Sequence, residues 1–138
     1  MSRSYVLNYV HCVFATKGRA QLIREPEPLW AYLRGIARNC GYDILSIGGT
    51  SDHVHLLMSL PAGKHLVEVV RDLKANVSGF AWQDGYAAIS VSPSQIECVR
   101  QYIARQEEHH RRRTFDDEFV ALLDKAGVRY DRKFVLAD

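Results

Sequence analysis

The chain has 138 residues, 47% of them apolar and 25% charged, with a formal net charge of +2. That is the composition of one soluble globular domain, long enough to bury roughly two-thirds of its unfolded surface, and it excludes a disordered chain. No apolar run approaches the ~20 residues of a membrane span, and Met1-Ser2-Arg3-Ser4 leads straight into a strand-like segment, so a cytoplasmic protein is expected.

Tyr5 to Ala15, rich in Tyr, Val, Cys and Phe, reads as a first strand ending near Lys17-Gly18-Arg19. Pro26 and Pro28 then open a helix with Leu29, Leu33, Ile36, Ala37 and Cys40 at helical spacing, and Gly41 closes it. Tyr42 to Ile47 reads as a second strand, Gly48-Gly49-Thr50-Ser51 as a turn, and His53 to Leu60 as a third strand stopped by Pro61-Ala62-Gly63. From Lys64, the spacing of Leu66, Val69, Val70, Leu73, Val77 and Phe80 predicts a second helix. Asp84-Gly85 breaks that helix before a short fourth strand, Ala87 to Val91. The order strand, helix, strand, strand, helix, strand predicts an α+β, ferredoxin-like split βαβ fold, a four-stranded antiparallel sheet with two helices on one face. The three cysteines, Cys12, Cys40 and Cys98, are odd in number and widely spaced, so buried thiols are expected instead of disulfides or a zinc motif.

A third helix follows, with Ser92 as its cap, Pro93 at its first position and Gln95 placed for a capping box. Ile96, Val99 and Ile103 form its apolar stripe, while Tyr102 and Gln106, four apart, project from one side. A last helix spans Thr114 to Ala126, with Thr114 as cap, Asp116, Asp117 and Glu118 suited to its first turn, Phe119, Leu122 and Leu123 on its apolar side, and Gly127 at its end. The chain thus divides into a core over 4–92, a tyrosine helix over 93–111 and a C-terminal helix and tail over 112–138, within one domain spanning 1–138.

The chemistry concentrates at His53-Val54-His55. Side chains alternate along a strand, so the two imidazoles share one face, as a pair of metal ligands or as two half-exposed strand histidines. His53-Val54-His55, the downstream Tyr102-Ile103-Ala104-Arg105-Gln106, and the run Trp82-Gln83-Asp84-Gly85-Tyr86 to Ser90-Val91-Ser92 together resemble the HUH-type single-tyrosine transposases of small insertion sequences. The likeness extends to relatives associated with repetitive extragenic palindromes, and covers nearly the whole chain, from the first strand to Tyr130-Asp131.

The resemblance implies a transposase that cleaves and rejoins single-stranded DNA with hairpin or palindromic ends. Tyr102 would be the nucleophile, forming a 5′-phosphotyrosine, and His53, His55 and Gln106 the ligands of Mg²⁺ or Mn²⁺. It also implies a homodimer, in which the helix of one subunit can complete the site of the other, and no nucleotide cofactor; no Walker-type loop is present. Two imidazoles and an amide oxygen suit such a cation. Unperturbed tyrosine has a pKa of about 10, so on the order of 0.1% is phenolate at pH 7, and the site must supply the rest. Lys17, Arg19, Arg105, Arg111, Arg112 and Arg113 are the expected phosphate contacts, His109 and His110 surface groups or proton carriers, and Asp52 either a turn residue or a partner orienting an imidazole. Cupin or amidohydrolase use of His-x-His needs many short strands or a large barrel, which this pattern lacks. The competing reading is a non-catalytic ferredoxin-like module that binds single-stranded DNA or RNA.

Overall fold

A computed structural model describes residues 4–77 and 79–136; Met1-Ser2-Arg3, which entered the reading of the N-terminus, lies outside them. Strands β1 (Tyr9–Ala15), β2 (Asp43–Gly49), β3 (His53–Ser59) and β4 (Ala87–Val91) alternate with helices α1 (Pro26–Cys40) and α2 (Leu66–Ala75). Helices α3 (Ile96–Ala104), α4 (Gln106–His109) and α5 (Phe115–Ala126) follow. The sheet runs in the order β2-β3-β1-β4, with every neighbouring pair antiparallel. This is the expected split βαβ arrangement, and it puts β1 and β3 in the middle.

Alternation along the two central strands creates two unlike faces. Val10, Cys12 and Phe14 of β1 and Val54, Leu56 and Met58 of β3 meet Leu29, Trp30 and Leu33 of α1 and Val69, Val70 and Leu73 of α2 in the main core. The opposite face carries His11, Val13 and Ala15 with His53 and His55, and a smaller core closes over part of it: Val13, Ala15 and Ala87 against Phe115, Phe119 and Leu123 of α5. Burial of each such large apolar side chain contributes about 1.5–3 kcal/mol, which offsets the ordering of α5. The sheet is therefore sandwiched between α1 and α2 on one side and α3 and α5 on the other.

Several boundaries differ from the sequence expectations. The first strand begins at Tyr9, not Tyr5, because its partners run out at Ser59 and Val91. Gly48 and Gly49 belong to β2, paired with His55 and Val54, so the hairpin turn is confined to Thr50–Asp52. The second helix ends at Ala75, although Val77 still enters the main core. Ser92 does cap the next segment, but its Oγ accepts from Ser94 N at 3.4 Å, with no reciprocal bond from the Gln95 side chain. That segment is a single 3₁₀ turn, Pro93–Gln95, leading into α3, and the expected tyrosine helix over 93–111 breaks at Arg105 (φ −103°, ψ 23°) before α4. Of the cysteines, Cys12 is buried, Cys40 partly so and Cys98 exposed. Among the described residues no helix is long and apolar enough to cross a membrane.

Candidate active site

His53 and His55 are both fully buried, under α3, α4 and α5. Each imidazole is held by Nδ1. His53 Nδ1 donates to Asp52 Oδ1 at 2.8 Å, and Thr50 Oγ1 steadies the same carboxylate at 3.1 Å. His55 Nδ1 accepts from His11 Nε2, one strand across, at 2.8 Å. With both Nδ1 atoms engaged, both Nε2 atoms point into the space between the sheet and the overlying helices.

The tyrosine segment reaches that space because β2 lets it approach. A Cβ on Gly48 would lie 2.4 Å from the Ile103 carbonyl oxygen, so only glycine allows the α3 backbone to settle beside His55's strand partner. Ile103 is buried there, and the docking occurs within one chain. Gln106, just past the break, then sets its Oε1 2.8 Å from His53 Nε2.

At the centre lies Glu118 of α5, a wholly buried carboxylate. Its Oε1 accepts from His55 Nε2 and His110 Nε2, each at 2.9 Å, and lies 3.6 Å from His53 Nε2. Its Oε2 accepts from Gln106 Nε2 at 3.0 Å and from the hydroxyl of Tyr102. Arg113 Nη2 stands 4.0 Å from Oε2. The Tyr102 ring packs edge-on to His11 and His55, with His109 at a tilt.

These surroundings fix most of the proton inventory. Burial, reinforced by the nearby His55, lowers His11 to about 3, and burial lowers His55 to about 4 despite the bond to Glu118, so both are neutral at pH 7. Burial works against ionisation of Glu118, but the hydrogen bonds from His55, Tyr102 and Gln106 outweigh it and hold the carboxyl well below its ordinary range. Asp52 is lowered in the same way, burial being overcome by His53 and Thr50. Tyr102 moves the other way: burial, then the hydrogen bond to Glu118 and its charge, push the phenol above its ordinary range. In this closed arrangement the hydroxyl is held as a neutral donor.

The donor set fits a divalent cation. His53, His110 and Glu118 offer ligand atoms that all lie within 4.8 Å of one another. His55 Nε2 and Gln106 Oε1 border the same group, and the Asp52–His53 pair is the arrangement that orients metal-binding imidazoles. The structure thus gathers four residues expected from sequence, His53, His55, Tyr102 and Gln106, around one point.

The expected cations are less uniform. Arg111, Arg112 and Arg113 are exposed and line a cleft of about 580 Å³ with Thr50, Asp52 and His110, beside the histidines. Lys17 and Arg105 are also exposed. Arg19 is instead turned under α5: its Nε donates to Asp116 Oδ1 at 2.7 Å, its Nη2 donates to the Leu136 carbonyl at 3.0 Å, and its guanidinium covers Phe115.

Two central groups, His11 and Glu118, were not singled out by sequence reasoning. Glu118 carried a signal in being the one acidic residue among Phe115, Phe119 and Leu123 on the buried side of α5. A charge on an apolar stripe needs a partner, whereas a first-turn acid needs none beyond the helix end. His11 lies two residues before Val13 on the histidine face of a strand that is buried on both sides. His110, placed among surface groups or proton carriers, is drawn inward by Glu118.

Comparison with known proteins gives these features a context. Residues 4–79 match the family described as "Transposase IS200 like", a segment that contains His53 and His55 and stops before Tyr102. A crystal structure of a chain assigned as a transposase, from Deinococcus radiodurans R1, aligns at 26% identity with a TM-score of 0.59, covering 77% of this chain and 96% of the other. The structure of a REP-associated tyrosine transposase bound to a REP hairpin aligns at 16% identity and the same TM-score of 0.59, covering 80% of this chain and 73% of the other, a likeness of fold. No curated protein matches the chain.

Proposed function

The chain belongs to the IS200-like transposase family, and on that premise we propose that it cuts and rejoins single-stranded DNA with Tyr102 as its nucleophile. The observation that carries this reading is the convergence, within one chain, of the Tyr102 hydroxyl, the His53–His55 pair and Gln106 on one buried hydrogen-bonded group.

In the reaction, the Tyr102 oxygen attacks the scissile phosphorus in line with the departing 3′-oxygen. The new bond is a 5′-phosphotyrosine, the broken one is P–O3′, and the 3′-oxygen is protonated by water. The phenolic proton has an acceptor in place, since Tyr102 already donates to Glu118 Oε2. Rejoining is the same displacement reversed, with a 3′-hydroxyl attacking the phosphotyrosine, so no nucleotide cofactor is needed. A divalent cation, Mg²⁺ or Mn²⁺, held by His53, His55 and Gln106 would polarise the phosphate and offset the charge on the leaving oxygen.

Arg111 to Arg113, on the cleft beside the histidines, are suited to hold the phosphate backbone, with Lys17 and Arg105 further out. Hairpin DNA is the proposed substrate form; a protein of this fold has been solved with a REP hairpin. Joining two ends calls for two tyrosines, which a homodimer supplies. The test is to incubate the protein with labelled single-stranded hairpin DNA and Mn²⁺ and to separate the products under denaturing conditions. A covalent adduct lost in Tyr102→Phe is expected. Hairpin binding without any adduct would favour the non-catalytic binding module instead.

A further inference from the structure

The proposed ligand set leaves unexplained why a carboxylate with no exposed surface sits at the centre of the site. Glu118 faces imidazole nitrogens on Oε1 and the tyrosine on Oε2, and its nearest permanent cation, Arg113, is 4.0 Å away and itself partly exposed. A buried carboxylate is costly unless positive charge compensates it.

We infer that Glu118 is itself a ligand of the divalent cation, binding through Oε1 with His53 and His110, while its Oε2 positions the Tyr102 hydroxyl. This rests on the metal-dependent reading above and changes the centre it describes. The Oε1 atom is where the cluster converges: His55 and His110 reach it at 2.9 Å and His53 lies at 3.6 Å. His53, His110 and Glu118 also form the group whose ligand atoms lie mutually within 4.8 Å. A carboxylate keeps lone pairs for a cation while accepting from a phenol on its other oxygen. Gln106 donates from Nε2 to Glu118 and sets its Oε1 2.8 Å from His53 Nε2, and so stands between the two ligands. With one carboxylate spanning metal and nucleophile, α5 becomes part of the reactive centre.

Two imidazoles and one carboxylate also bear on the preference of the site. Such a set suits Mn²⁺ or another transition metal better than Mg²⁺, which favours oxygen ligands and water.

The test is calorimetric titration of the full chain with MnCl₂, without DNA, for wild type, Glu118→Gln, His110→Gln and Asp117→Asn. Circular dichroism checks that each variant is folded. Glu118→Gln keeps the shape of the side chain and removes its charge, and an affinity loss on the order of 100-fold is expected; His110→Gln should lose about 10-fold or more. Asp117, exposed on the same turn of α5, should bind as wild type. Wild-type affinity in Glu118→Gln overturns the inference; if that variant does not fold, wild-type affinity in His110→Gln overturns it. Absence of Mn²⁺ binding by wild type overturns it too. An adduct that depends on Tyr102, combined with unchanged Mn²⁺ affinity in Glu118→Gln, would sink this inference and leave the proposed function standing.

Discussion

Replacing Gly48 with alanine tests whether α3 rests on β2 as described. The added Cβ would stand 2.4 Å from the Ile103 carbonyl oxygen, where carbon and oxygen normally approach to about 3.3 Å, so the α3 backbone must retreat by about 1 Å. A retreat of that size takes the 2.8 Å contact between Gln106 Oε1 and His53 Nε2 beyond hydrogen-bonding range. Overpacking of this kind costs about 1–3 kcal/mol, and alanine returns about 0.4–1 kcal/mol by restricting the unfolded chain, leaving a net loss centred on about 1.3 kcal/mol. The expected fall in Tm is about 2–6 °C. Gly35, within α1 with open space around its missing Cβ, is the opposite control: Gly35→Ala should gain about 0.5–1 kcal/mol. Urea unfolding measures both, and DNA-adduct yield should drop only in Gly48→Ala. A Gly48→Ala protein as stable and as active as wild type would refute the docking of α3 at this point.

Removing Arg111, Arg112 and Arg113 together should weaken single-stranded DNA binding and lower the slope of log affinity against log salt by about 2, since each phosphate contact contributes about 0.7. Arg19→Ala, by contrast, should leave that slope unchanged and reduce stability in urea, because it breaks the link to Asp116 and Leu136. Stability should depend on pH through His11 and His55, which face each other, Glu118, His53 and His110. Their folded values of about 3 and about 4 lie below the unfolded 6.5, so both take up protons on unfolding. Their contribution is complete above pH 6.5 and is lost as the pH falls toward 4, with a slope of up to about 3 kcal/mol per pH unit. Glu118, held low, adds a further loss only below its unfolded value of 4.5. Thermal melts in a chelator from pH 8 to 4.5 measure this; His11→Asn should roughly halve the slope, and a flat profile would contradict the neutral pair.

Hydropathy periodicity made the sheet and both of its first helices legible, down to Gly41 at the α1 terminus and Ala87 to Val91 as a strand. His53 and His55 were legible as a same-face pair because they lie two apart on one strand, whereas Tyr102 and Gln106, on either side of the break between α3 and α4, were singled out through the family resemblance. What the sequence hid lies between elements. The partnership of Glu118 with Tyr102 joins α5 to α3 across a loop, and nothing in either helix's spacing reports the other. Arg19 reads as a loop cation, yet finds its acid at Asp116, on α5. Gly48 and Gly49 read as a turn because glycine usually marks one, whereas Gly48 serves close approach of a helix backbone. The break at Arg105 was likewise silent, since Arg105 itself is a good helix former.

The most direct measurement is the identity of the residue that carries the DNA. The denaturation-resistant adduct is trimmed with nuclease, digested with trypsin and sequenced by mass spectrometry. The expected result is a nucleotide phosphate on Tyr102, within the peptide 101–105, absent in Tyr102→Phe. A nucleotide on any other tyrosine, or an adduct of undiminished yield in Tyr102→Phe, would contradict the assignment of Tyr102 as the nucleophile.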